Sequence, residues 1–306
     1  MLSQREIECP ATLRRQAESA PPVTTAVANA GAPLPMVSAR LASEAGFIVP
    51  LLVGDPNAIR ENAERIGWNI DGLRIVEAAD EDDAGRTAAA LCGSGDAGAL
   101  MKGQIHTDTF VRAILNRDAN LRAGRRLTHV FHMTVPESDK VLLITDAAIN
   151  VAPDVETRLE AVRNAVGLAQ ALGIETPKVA VLSATEEVSD SMPSSREAAE
   201  IADRAQADLS SALVHGPLAF DNAISEGAAA VKGIDHPVAG NADILLVPNI
   251  EAGNAMYKMM VYFMSACAAG IVLGAKVPAI LTSRADPPAA RLAAAAIAAI
   301  LANRDR

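Results

Sequence analysis

Aromatic side chains are scarce in this chain: one Trp, two Tyr and five Phe make up 3% of it. Yet 50% of the residues are hydrophobic, so the cores must be built from Ala, Val, Leu and Ile. That composition suits alternating helices and buried parallel strands better than an aromatic-rich sandwich. Cysteine is scarce too. Cys9, Cys92 and Cys267 are an odd set without a CxxC, which excludes a disulfide framework and a zinc site and fits a reducing, cytosolic compartment. Positive charge is outnumbered, with 27 Lys and Arg against 37 Asp and Glu for a net charge of −10. Nucleic acid is therefore not expected as a partner, since its affinity comes mainly from neutralising phosphates. The densest basic cluster, Arg122, Arg125 and Arg126, reads as a solvated turn. Long apolar runs are missing as well. The stretch LAAAAIAAILA from Leu292 falls short of the ~20 helical residues that cross a bilayer, and reads as a buried or interface helix. The opening MLSQREIECPATLRR has no signal-like apolar run. No membrane partner is expected, and a cytoplasmic location is.

What is present is a regular alternation. At 306 residues the chain exceeds one ordinary core, so two domains or one large α/β unit is expected. Residues 1–35 are rich in Pro and Ala with weak periodicity and read as a lead-in or short helical arm. Beyond Pro35, helical and strand patterns alternate to the end: FIVPLLVG, LRIVEA, AGALMKG, KVAVLSA, ALVHGPL, ADILLVPN, GIVLGA and PAILTS read as strands with helices between most of them. THVFHMTV and KVLLITDAA leave no room for a helix and read as an antiparallel pair. The fold class is α/β, mostly parallel and doubly wound. The break is expected near 147–155, giving one domain of 1–147 with a C-terminal helix 288–306, and a second of 148–287.

CGSGDAG contains a literal G-x-G-x-x-G in Gly93, Gly95 and Gly98. A dinucleotide site needs a strand before those glycines and a helix after them. Here a helix precedes and a strand follows, so Gly93 and Gly95 read as a helix stop and the turn out of it. GIVLGAKVP lacks the Lys-Ser/Thr of a P-loop.

In open α/β sheets ligands bind beyond the carboxyl ends of strands. The residues there include Lys102, His106, Thr107, Asp108 and Arg112 after ALM, Asp146 and Asn150 after VLLIT, and Asp221 and Asn222 after ALVHGP. Asn249, Gly253, Asn254, Tyr257 and Lys258 follow ILLVP, and Ser283, Arg284 and Asp286 follow PAILT. Asp108 and Asp221 also fit as helix N-caps, Asp286 as a turn residue before Pro287, and His106 as a structural histidine. The cations Lys102, Arg112, Lys258 and Arg284 all fall at strand exits, the arrangement expected around a phosphate-bearing ligand.

Five stretches carry a resemblance: ALMKGQIHTDTFVRAIL, LLITDAAINVAP, GPLAFDNAIS, PVAGNADILLVPNIEAGNAMYK and AILTSRAD. In that order, within a match from about residue 37 to the C-terminus, the chain resembles the phosphate acetyltransferase/phosphate butyryltransferase family. The resemblance implies two α/β/α domains related to isocitrate and isopropylmalate dehydrogenases, an active site in the cleft between them, and a homodimer. It implies the reaction acyl-CoA + phosphate ⇌ acyl phosphate + CoA, with coenzyme A as a substrate and no metal or tightly bound cofactor. It makes Ser283 and Arg284 a catalytic pair and Arg112 the cleft arginine. Asn249, Gly253, Asn254, Tyr257 and Lys258 then belong to the segment that helps build the cleft, with Lys102, His106 and Thr107 as further substrate contacts. Where the acetyl branch has an Asp that takes the thiol proton, six residues after the catalytic Arg, this chain has Ala290. Asp286 and Asp221 are the remaining candidates for a base. Glu186 and Glu187 in ATEEVSDSMPSS also resemble the butyryl-type branch. Two alternatives stay open: a non-catalytic acyl-CoA-binding regulatory module of the same fold, and a metal- and NAD-dependent hydroxy-acid dehydrogenase. The latter needs an aspartate cluster, and Asp80, Asp82 and Asp83 lie instead at a helix start.

Overall fold

Pro21 and Pro22 separate an N-terminal helix, α1 (Ala11–Glu18), from a strand, β1 (Val23–Ala28). In the computed structural model, which describes residues 2–136, 138, 140–283 and 285–304, the chain continues through α2 (Pro33–Glu44), β2 (Ile48–Gly54), α3 (Pro56–Arg65), β3 (Ile75–Glu77), α4 (Glu81–Gly93) and β4 (Ala99–Lys102). Then come α5 (Thr107–Leu115), β5 (Thr128–Thr134), β6 (Leu142–Thr145), α6 (Val155–Ala171), β7 (Lys178–Leu182), α7 (Pro193–Asp208) and β8 (Leu213–Leu218). The last stretch holds α8 (Phe220–Ile224), α9 (Glu226–Val231), β9 (Ile244–Leu246), α10 (Ile250–Met264), β10 (Cys267–Leu273), β11 (Ala279–Ile280) and α11 (Pro288–Asn303). Helix starts follow capping chemistry. Asp55, Asp80, Asp154, Ser225 and Asn249 each accept a first-turn backbone N–H. Gly67 and Gly173, at φ +65° and +95°, stop α3 and α6.

The chain divides into two compact units. One comprises Ile7–Arg125 with Ala269–Arg306, the other Met1–Glu6 with Arg126–Ala268. In the first the strand order is β3-β2-β1-β4-β11-β10, parallel except for β10 against β11. The order reverses between β1 and β4, a topological switch point. In the second the order is β5-β6-β9-β7-β8, parallel except for the β5–β6 hairpin. That hairpin pairing matches the sequence reading. The division differs from the expected break near 147, because β6 lies in register with β9 (Thr145 beside Leu246). Its pairing ties the hairpin to residues beyond 148.

Residues 1–35 are the larger correction. The short helical arm is there as α1, but the rest is no lead-in: it supplies β1, which lies between β2 and β4, with Val23, Thr25, Ala26, Val27 and Ala28 all buried. VTTAVA carries too little bulk for its pattern to stand out, but between two parallel neighbours small residues suffice. The helical stretch between ALVHGPL and ADILLVPN also breaks in two, where Ser225 ends α8 and caps α9. The glycine motif is structural, as expected. A Cβ on Gly93 would sit 1.8 Å from the Ala119 carbonyl oxygen, and Gly95 turns at φ +87°. In the first unit α11 packs on α1, α2 and the sheet, burying nearly every side chain from Ala290 to Ile300. In the second, Phe131, Met133, Ile144, Leu245 and Tyr257 join one core cluster.

Candidate active site

The first group of candidate residues grows from the switch point. β1 and β4 run in register (Ala28 beside Lys102), and β11 flanks β4 (Ile280 beside Met101). The segments after all three strands therefore emerge at one edge. Gly103 follows Lys102 because nothing larger fits: a Cβ there would lie 2.3 Å from the Ala28 carbonyl oxygen and 2.6 Å from that of Asn29. Asn29 holds a left-handed φ of 56°, and its Nδ2 donates to the Gln104 carbonyl at 2.5 Å. This tether was missed from sequence because β1 was missed. The Asn-Ala-Gly that follows VTTAVA is the turn signal that marks it.

His106 stands at the N-cap of α5. Glu81 accepts from its backbone N–H at 2.7 Å and meets its Nδ1 at 2.8 Å. That backbone N–H, more than any other group, holds the Glu81 carboxyl below its usual range. Glu81, in the first turn of α4, thus fixes the histidine. Thr107 opens α5, and Asp108 lies in its first turn rather than at the cap. Arg112, one turn on, is exposed and donates from Nη2 to Thr109 Oγ1 at 3.1 Å. Lys102 is half-buried at the end of β4.

At the β11 exit, Ser283 is exposed and begins a tight turn. Its N–H donates to Asp286 Oδ2 at 2.6 Å, and its carbonyl accepts from the Asp286 N–H at 3.2 Å. Asp286 is thereby occupied as the turn's clasp. Burial pushes its carboxyl up, opposed by the Ser283 N–H and the nearby Arg291. Arg284 lies outside the described residues. Ala290 is buried at 1% exposure on α11, so no acid stands six places beyond Arg284.

The second unit contributes the other group. β6, β9, β7 and β8 run parallel, so their exits also share an edge. Asp146 is buried after β6 and organises the chain there: its carboxylate accepts from the N–H groups of His129, Ala148 and Ile149 and from Asn150 Nδ2. Asn249 caps α10 through the Ala252 N–H. Gly253 is a packing glycine, since a Cβ would lie 2.8 Å from that of Ala147. Tyr257 is 8% exposed and stacks on Phe131 at 4.0 Å. Lys258 is exposed, its Nζ 6.0 Å from the Tyr257 ring centre, and Asn254 is half-buried. Asp221 lies in the first turn of α8, whose N-cap is Ala219, so the expected cap role is not taken. After β7, Glu186 accepts from Lys232 Nζ at 2.8 Å and from Asn222 Nδ2 at 3.3 Å, Lys232 chiefly holding its carboxyl low.

The family model described as phosphate acetyl/butaryl transferase matches residues 79–299. The chain belongs to that family. A phosphate acetyltransferase from Rhizobium meliloti is 43% identical over 286 residues, 93% of this chain and 90% of its own length. A phosphate butyryltransferase from Clostridium beijerinckii is 41% identical over 268 residues, covering 87% and 88%. Among solved structures, a branched-chain phosphotransacylase from Enterococcus faecalis V583 aligns with TM-score 0.80 at 34% identity, over 91% of this chain and 99% of its own. The fold extends further. A 4-hydroxythreonine-4-phosphate dehydrogenase from Burkholderia phymatum aligns with TM-score 0.57 at 14% identity over 93% and 99%, which is a likeness of fold alone. Among the described residues, no three His, Cys, Asp or Glu side chains gather as a metal site would require, and no helix is long and apolar enough to cross a membrane.

Proposed function

We propose that this member of the phosphate acetyl/butyryl transferase family interconverts acyl-CoA and phosphate with acyl phosphate and CoA, taking a short acyl group. The observation that carries the reading is the family match over residues 79–299, which includes every candidate from Lys102 to Asp286. In the proposed reaction the CoA thiol, as thiolate, attacks the carbonyl carbon of acyl phosphate in a ternary complex. A C–S bond forms, the C–O bond to phosphate breaks, and inorganic phosphate departs.

The chemistry sets a demand that these residues can meet. A free thiol with a pKa near 8.5 is only a few per cent ionised at neutral pH. Lowering it to about 7 takes roughly 2 kcal/mol of preferential thiolate stabilisation, at ~1.4 kcal/mol per pKa unit. One guanidinium about 4 Å away offers on the order of 4 kcal/mol at an effective dielectric near 20, before desolvation. We assign that role to Arg284, which makes a dedicated base dispensable and agrees with Ala290 where the acetyl branch has Asp. Ser283 donates its hydroxyl to the reacting carbonyl or phosphate. Arg112 and Lys258 bind phosphate oxygens, and Lys102, His106, Thr107, Asn249 and Asn254 shape the substrate pocket. CoA, phosphate and the acyl group are the partners, in a cytoplasmic homodimer.

The test is CoA-thiol release with acetyl, propionyl and butyryl phosphate as donors. Arg284→Ala is expected to lower kcat by at least ~10²–10³-fold, the usual loss when one positioned charge donor is removed, with the circular dichroism of the fold unchanged. Near-normal turnover in that variant removes Arg284 from the mechanism.

A further inference from the structure

Helix α11 is built almost entirely from Ala, Leu and Ile, and one charged residue is sunk into it. Arg291 is 7% exposed, and its guanidinium donates to two backbone carbonyls and one side-chain hydroxyl. Nε donates to the Asp286 carbonyl at 3.0 Å, Nη2 to the Ser283 carbonyl at 2.7 Å, and Nη1 to Ser38 Oγ on α2 at 3.2 Å. Two of these acceptors are the ends of the Ser283–Asp286 turn. The third anchors the same fork to the body of the unit, where Ser38 donates onward to the Leu34 carbonyl at 2.8 Å. A planar guanidinium fixes three acceptors in one rigid pattern, which a lysine cannot reproduce. Removing such a fork takes the side-chain donor from the Asp286 carbonyl and leaves the Ser283 carbonyl only the Asp286 N–H of the turn itself.

We infer that Arg291 is a positioning residue for the acyl transfer, clamping the backbone of the Ser283–Asp286 turn so that the Ser283 hydroxyl is held where the reacting group passes. The inference rests on the phosphotransacylase reading above. Arg291 is buried with two of its donors on the turn, and in this assignment it acts through Ser283. A hydroxyl that donates chiefly in the transition state must stand within a fraction of an ångström of its target, and a displacement of about 1 Å can cost ~10²-fold in rate. Loosening the clamp therefore lowers kcat while leaving ground-state binding nearly untouched.

The experiment is a kinetic cycle on the full chain, with Arg291→Met and Arg291→Lys made alone and each combined with Ser283→Ala. The expected result is a fall in kcat of roughly 30–100-fold for Arg291→Met, with KM for both substrates within about threefold of wild type. In the Ser283→Ala background the same change should cost less than about threefold, because the group it positions is gone. Arg291→Lys, which keeps a charge but has one donor nitrogen in place of the fork's three, serves if the Met variant does not fold, and should show the same non-additivity with a smaller loss. Equal losses with and without Ser283, or an unchanged kcat, overturn the inference while leaving the proposed reaction standing. Absence of turnover in the wild-type protein overturns both.

Discussion

His132 shows how a single residue couples this fold to pH. It lies in β5 beside Leu143 of β6, 3% exposed, and its Nδ1 meets no hydrogen-bonding partner among the described residues. Burial pushes its pKa down to about 4 from the ordinary 6.5. Between those values the unfolded chain binds a proton that the folded chain refuses, so stability is fully present above pH 6.5 and falls as pH drops toward 4. A shift of that size corresponds to about 3 kcal/mol. Urea unfolding at pH 7 and pH 4.5 should show His132→Leu losing about 2–3 kcal/mol less than wild type over the interval. Equal losses in the two proteins would mean that the folded state accepts the proton. At this scale the sequence singled out residues without showing their structural duties. Gly253, Tyr257 and Asn249 look alike in a motif, yet the first is excluded from having a side chain by Ala147, the second fills a core and the third caps a helix. Arg291 was invisible because Arg284 drew attention to charge on the turn itself. The signal was there: a lone arginine inside PPAARLAAAAIAAILAN needs a buried reason.

Among the elements, α6 and α7 meet across another buried cation. Arg158 on α6 is 1% exposed, and its Nη1 reaches Glu197 Oε2 on α7 at 3.3 Å. Its Nε and Nη2 have no acceptor among the described residues. Burial lowers the pKa of this guanidinium and Glu197 opposes the fall. Glu197 is itself 49% exposed, so its attraction is screened and repays little of the desolvation. An apolar replacement should therefore be tolerated: Arg158→Met is expected to be neutral or up to about 1–4 kcal/mol more stable. Glu197→Ala should destabilise, since it strips the buried charge of a partner, and should cost nothing further once Arg158 is Met. Thermal unfolding of the three variants decides it, and a loss above about 3 kcal/mol for Arg158→Met would show that the cation holds the helices together. Element order was largely legible because hydrophobic period, caps and glycine stops agreed along most of the chain. β1 escaped because Ala and Thr between prolines give no clear period, and only its two sheet neighbours make it a strand. The α8–α9 break escaped because Ser225 sits where an unbroken helix is equally compatible with the pattern.

For the whole molecule, the remaining question is what covers the end of α10. Met259, Tyr262, Phe263 and Met264 are 62, 53, 44 and 49% exposed. Scattered apolar residues on a surface need no explanation, but four within one and a half turns form a patch of the kind that marks an interface. If the proposed homodimer forms, this patch is the contact we expect it to use. Residues 259 and 263 lie four apart and 262 between them, so they share a face that a two-fold axis can set against its own copy. Each chain carries −10, so association brings like charges together, and the apolar contact has to overcome that repulsion. Two measurable consequences follow. In sedimentation equilibrium the protein should behave as twice the 31.7 kDa of one chain, with the dimer tightening as salt screens the repulsion. Met259→Glu with Phe263→Glu should give a monomer, because two buried carboxylates would be desolvated without partners on each side. A wild-type protein that sediments as a single chain, or a double variant that stays dimeric, leaves the α10 patch to some other use and removes it from the assembly.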